Sequence, residues 1–140
     1  MPNLPPAACL FDLDGLLLDT EPLHARAWTE AASRFSLDLS ARDLLELRGR
    51  RRVECVALVR DWIQARTGAA APSAEALLAV HQPLAQRLMP SAPPVEGARE
   101  LVDRCAALGV PMALVTSSTR EAVALKCAPH GWLEGIEMRV

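Results

Sequence analysis

Two carboxylates stand two residues apart in Phe11-Asp-Leu-Asp-Gly-Leu-Leu-Leu-Asp-Thr20. Asp12 and Asp14 have the chemistry of a nucleophile, of a general acid or base, and of ligands for a hard cation. Charges this close repel each other, and a bound divalent cation relieves the repulsion. Mg²⁺ suits the pair, because it prefers oxygen and takes one or two carboxylates together with waters and a substrate phosphate. Gly15 permits a sharp turn that leaves backbone amides facing the site. Two other readings use the same residues. An acidic pair at a strand end also makes a plain solvated turn. A calcium loop needs glycine at its sixth position with oxygens around it; Gly15 is at the fourth and three leucines follow, so that reading fails.

Chemistry of this kind needs a rigid support. Ala7 to Leu13 reads as a buried strand of a parallel sheet, apolar on both faces. Its C-terminal end carries the acids, and that end is where open α/β sheets bind ligands. Helical spacing follows over Glu21–Phe35, with Leu23, Ala27, Trp28, Ala31 and Phe35 on one face. Ser40, with Asp43 three positions on, opens a second short helix. Arg51 to Arg66 is a third, closed by Gly68. Ser73 caps a fourth that runs to about Met89, with a kink or early break expected at Pro83. Pro90, Pro93 and Pro94 stiffen a linker over Met89–Val95. Then come a helix from about Glu96 to Leu108, a strand over Val110–Val115, the polar run Thr116-Ser-Ser-Thr119, and a helix over Arg120–Ala128. Ile136 to Val140 reads as a third strand. The order predicts an α/β fold, a Rossmann-like parallel sheet core split by a helical insertion: residues 1–20 and 91–140 in the core, 21–90 in the insert.

Composition excludes several classes. The chain has 140 residues, 51% hydrophobic, with 15 Lys+Arg against 17 Asp+Glu. It is too apolar for disorder and lacks the basic excess of a nucleic-acid binder. No apolar run approaches the roughly 18 residues a membrane span needs, and no basic residue precedes the first strand as in a secretory signal. Cys9, Cys55, Cys105 and Cys127 show no C-x-x-C spacing. Their apolar neighbours predict buried thiols in a reducing cytoplasm, with a redox role as the alternative. Lys126 is the only lysine; the other basic residues are arginines.

Phe11 to Thr20 resembles the first motif of the haloacid dehalogenase superfamily, and Met112-Ala-Leu-Val-Thr-Ser-Ser118 resembles its second. The helical block is similar to the α-helical cap of the β-phosphoglucomutase-like and phosphoglycolate-phosphatase-like branch, which Thr20 to Trp28 also follows. The likeness runs across essentially the whole chain. It implies a Mg²⁺-dependent phosphatase-type hydrolase that acts on a small phosphorylated metabolite; a sugar-phosphate mutase is the near alternative. By the same resemblance, Asp12 is the nucleophile that forms an aspartyl-phosphate. Asp14 is the general acid and base. The metal is held by Asp12 and, through its carbonyl, by Asp14, while Thr116 and Ser117 hold the transferring phosphate. His24 falls at a position near the cap entrance, against the plain alternative of a helix-surface histidine. Arg52, in the run Arg48-Gly-Arg-Arg-Arg52, matches a residue that grips a substrate's far phosphate. The alternatives for that run are a solvated helix start and a nucleic-acid patch. Asp19 and Thr20 are expected to hold the turn, and His81 and His130 to be structural.

The family pattern also has a lysine after the third strand and an acidic pair after the fourth. Neither follows Thr116 here, and Lys126 falls in the intervening helix, outside the role. The expectation drawn from this is a truncated chain, its first strand lacking a neighbour on one side and open to association through that edge. A catalytically incompetent fragment is therefore the reading from another class.

Overall fold

The computed structural model describes residues 4–136, 138 and 139. The chain divides into two compact units, one of residues 1–20 with 89–140 and one of residues 21–88. The crossings fall at 20/21 and 88/89, so the second lies two residues before the expected boundary.

The first unit is built on three parallel strands in the order β1 (Cys9–Phe11), β2 (Met112–Leu114), β3 (Met138–Arg139). Cys9, Leu10 and Phe11 lie opposite Met112, Ala113 and Leu114. This register sets the residues just after β1 beside those just after β2, and the Val115 amide continues the ladder by donating to the Phe11 carbonyl at 2.8 Å. β1 is an edge strand, and Leu10 on it is exposed. After β1 the chain turns sharply. Gly15 has φ +78°, which a side chain would strain, and its amide donates to Leu18 O at 2.8 Å. Leu13, Leu17 and Leu18 are fully buried within this turn. The proline linker is part of the same structure: Asp19 N donates to Pro93 O and Val95 N to Leu17 O. Helices α5 (Ala98–Ala107) and α6 (Arg120–Cys127) complete the unit, with Val102, Val123 and Cys127 buried.

The second unit contains α1 (Glu21–Ser33), α2 (Ala41–Leu47), α3 (Arg52–Thr67) and α4 (Ala74–Leu88). Trp28, Leu47, Val56, Ile63 and Leu77 share its core. The caps read from the sequence are present. The Ser40 hydroxyl accepts from Asp43 N, the Asp43 carboxylate accepts from Ser40 N, and Gly68 closes α3 in the left-handed region. Ser73 Oγ accepts from Ala76 N at 3.0 Å. Pro83 lies inside α4 and does not end it, so of the expected kink or early break the break does not occur. Leu77 and His81 before it and Leu88 after it are all buried, so packing on both sides outweighs the lost amide bond. Within this core the His81 ring stacks on Trp28 with centroids 3.9 Å apart. Neither ring nitrogen has a hydrogen-bond partner among the described residues. Burial, and then the charges of Arg52 and His24, lower its pKa to about 4, so the ring is neutral at pH 7.

Candidate active site

The parallel register of β1 and β2 brings the Asp12–Asp14 segment beside the Thr116–Ser118 segment, at the ligand-binding end of the sheet. Asp12 is exposed. Its Oδ1 accepts from the Leu13 amide at 2.7 Å, which orients the carboxylate on its own backbone. Its second oxygen has no protein partner among the described residues.

Asp14 is held on all sides. Its Oδ1 accepts from Thr20 Oγ1 at 2.8 Å and from Lys126 Nζ at 2.7 Å, and its Oδ2 accepts from Ser118 Oγ at 3.0 Å. Lys126 also donates to Ser118 Oγ at 3.0 Å. Burial pushes the Asp14 carboxyl up, but the Lys126 ammonium and the two hydroxyls outweigh it and hold it below the usual carboxylate range. Thr116 joins through the backbone, its Oγ1 accepting from Ser118 N at 3.1 Å. Thr119 then caps α6 by accepting from Ala122 N, so the Thr116–Thr119 run leads straight into a helix N-terminus, a favourable place for an anion.

Lys126 lies between the second and third strands, not after the third where the resemblance places the catalytic lysine, yet it reaches Asp14. The fold supplies the distance: α6 follows β2 directly, and its last turn carries the side chain back, nearly fully buried, onto Asp14. The available signal was compositional, since this is the only lysine in the chain. Thr20, expected to hold the turn, is fully buried and does so by donating to Asp14. Ser117 is exposed beside Thr116. His24 and Arg52 lie in the helical unit, the first half-buried on α1 and the second exposed at the start of α3. Within the arginine run, Arg48 pairs with Glu21, Arg50 donates to the Glu46 carbonyl, and Arg51 pairs with Glu54. Arg52 has no ion pair among the described residues. His130 lies outside this cluster, with Nε2 2.9 Å from the Ala92 carbonyl oxygen.

Among the described residues no three His, Cys, Asp or Glu side chains converge as a complete metal cage. Mg²⁺ does not require one, since it keeps waters and takes one or two carboxylates. The free oxygen of Asp12 fits such a ligand. The Asp14 carboxylate does not, because both its oxygens are already engaged.

Residues 6–138 match the family of haloacid dehalogenase-like hydrolases. Over 112 residues the chain is 31% identical to a validoxylamine A 7'-phosphate phosphatase of Streptomyces hygroscopicus, covering 80% of this chain and 50% of that protein. A HAD family hydrolase of Deinococcus radiodurans, solved with bound phosphate and sodium, superposes with a TM-score of 0.73 at 27% identity, over 96% of this chain and 57% of that one. A phosphoglycolate phosphatase-like protein of Haemophilus somnus shares the fold, with a TM-score of 0.82 at 16% identity over 96% and 61% of the two chains. The chain thus spans about half the length of the curated relative it matches most extensively.

Proposed function

Because the chain belongs to the haloacid dehalogenase-like hydrolases, we propose that it is a Mg²⁺-dependent phosphatase-type hydrolase that acts on a small phosphorylated metabolite through an aspartyl-phosphate. The observation that carries the proposal is the contrast between the two acids. Asp12 is exposed with an oxygen free, while Asp14, two residues on, is locked ionised among Lys126, Thr20 and Ser118.

In this reading Asp12 attacks phosphorus and forms an aspartyl-phosphate as the alcohol leaves. Its Leu13 amide bond keeps the attacking carboxylate in one orientation. Thr116 and Ser117, at the mouth of α6, bind the transferring phosphate, whose charge the helix N-terminus also favours. Asp14 is assigned to take a proton from the water that cleaves the aspartyl-phosphate, although the contacts that lower its pKa also weaken it as a base. To serve as acid for the leaving alcohol it must first gain a proton and give up a contact. Lys126 supplies fixed positive charge beside it. Mg²⁺, held by the Asp12 carboxylate and the Asp14 carbonyl, would offset charge on the phosphate oxygens. His24 and Arg52 are assigned to substrate contact, Arg52 because its guanidinium is exposed, free of an ion pair among the described residues, and forked to match a phosphate.

The test is phosphate release from an aryl phosphate with Mg²⁺ present. Turnover abolished by Asp12→Asn and by chelation is the expected result. Undiminished turnover in Asp12→Asn would overturn the assignment.

A further inference from the structure

Outside the acid cluster, two thiols among the described residues meet without a role. Cys9 opens β1 and Cys105 lies near the end of α5, yet their sulfurs are 3.7 Å apart. Both positions are pinned by adjacent residues of one connection. Cys9 N donates to the Pro111 carbonyl at 2.9 Å, and the Cys105 carbonyl accepts from Val110 N at 2.9 Å. The approach is therefore built into the α5–β2 connection. Cys55 is committed elsewhere, its sulfur donating to the Leu47 carbonyl at 3.5 Å in the helical unit.

We propose that Cys9 and Cys105 are a redox modification site, a dithiol that a hydroperoxide converts to a disulfide. The sulfurs need to close by about 1.7 Å to reach bonding distance. Cys9 is partly open to solvent and Cys105 is buried, which sets the order of events. The Cys9 thiolate attacks the outer peroxide oxygen, the O–O bond breaks, and one water departs once the leaving oxygen gains a proton. Cys9 is left as a sulfenic acid. The Cys105 sulfur then attacks the Cys9 sulfur, the S–O bond breaks, and the hydroxide leaves as water with the Cys105 proton. With hydrogen peroxide the sum is two thiols and one peroxide giving one disulfide and two waters. The bond would tie β1 to α5 and close a loop containing the entire helical unit. Asp12, three residues after Cys9, would then extend from a covalently anchored strand.

The proposal does not depend on the phosphatase reading, and its test needs no turnover. The 140-residue chain is treated with hydrogen peroxide, and thiols are counted after unfolding. The expected result is a fall from four thiols to two, a mass loss of two hydrogens, and a non-reducing peptide map that links Cys9 to Cys105. The link should form at least tenfold faster in buffer than in urea and reverse with a thiol reductant. Cys9→Ser or Cys105→Ser should abolish it, while Cys55→Ser and Cys127→Ser retain it. A link to Cys127 or between chains, irreversible oxidation of Cys9 without a link, or equal rates in buffer and urea would each overturn the proposal.

Discussion

Asp43 pairs with Arg66 in the helical unit, and Asp14 pairs with Lys126 in the α/β unit, but the two pairs are buried in opposite senses. The Asp43 side chain is 6% exposed and Arg66 42%. Lys126 is 5% exposed and Asp14 24%. Asp43 is saturated by structural bonds: two from the Arg66 guanidinium at 2.8 and 2.9 Å, and two from the Ser40 amide and hydroxyl. Those contacts, Arg66 first and then Ser40, hold its carboxyl far below the usual range. Arg66 itself lies over the Trp62 ring at 5.0 Å. A buried acid covered by an open base closes a helix start and offers nothing to a ligand. Burying the base instead leaves the acid, in the turn after β1, 24% exposed although both its oxygens are bonded. Direction of burial, more than the presence of an ion pair, distinguishes the two carboxylates.

The largest expected effect sharpens that distinction at its outer member. Asp12→Asn should lower phosphate release by roughly 10³-fold or more and change stability by less than about 0.5 kcal/mol, because its carboxylate is exposed. Urea unfolding beside the rate measurement reads both. Lys126→Met should cost about 3 kcal/mol in the same unfolding experiment, since it leaves Asp14 beside hydroxyls alone, and should slow turnover as well. A Lys126→Met protein as stable as the parent would break the comparison.

His81 is the next probe. Its pKa is about 4 in the folded protein against 6.5 when free. The unfolded chain therefore binds the proton first as pH falls. Stability is full above pH 6.5 and drops by roughly 3 kcal/mol on the way to pH 4. His81→Phe keeps the stack on Trp28 and should flatten that part of the pH–stability curve, as followed by thermal melts. Asp43→Asn has the smallest expected effect, a loss of about 2 kcal/mol without loss of turnover per folded molecule. Its lowered pKa puts the pair's contribution in place above the unfolded carboxylate value of about 3.9 and removes it as pH falls further. The wild type should lose that increment in strong acid, and Asp43→Asn should not.

What could be read in advance follows a physical division. Ser40 with Asp43, Gly15 and Gly68 act through bonds or dihedrals within a few residues; both caps and the Gly15 turn appear in the fold, but the amides of Gly15, Leu17 and Leu18 are bonded within the turn instead of facing the site. The acids at the end of the first strand were legible for the same reason. The early break that Pro83 allows does not occur, because its local cost is opposed by core contacts made elsewhere in the helical unit.

The order of the main elements, the acid pair, the polar run after the second strand and the family those motifs resemble are all legible in the amino-acid order. What each acid faces depends on the folded chain. Lys126 and Asp14 are 112 residues apart, Cys9 and Cys105 are 96 apart, and Arg66 and Asp43 are 23 apart. No periodicity encodes such separations. They arise when parallel pairing of β1 with β2, or the packing of one helix on another, fixes distances that the chain between leaves free.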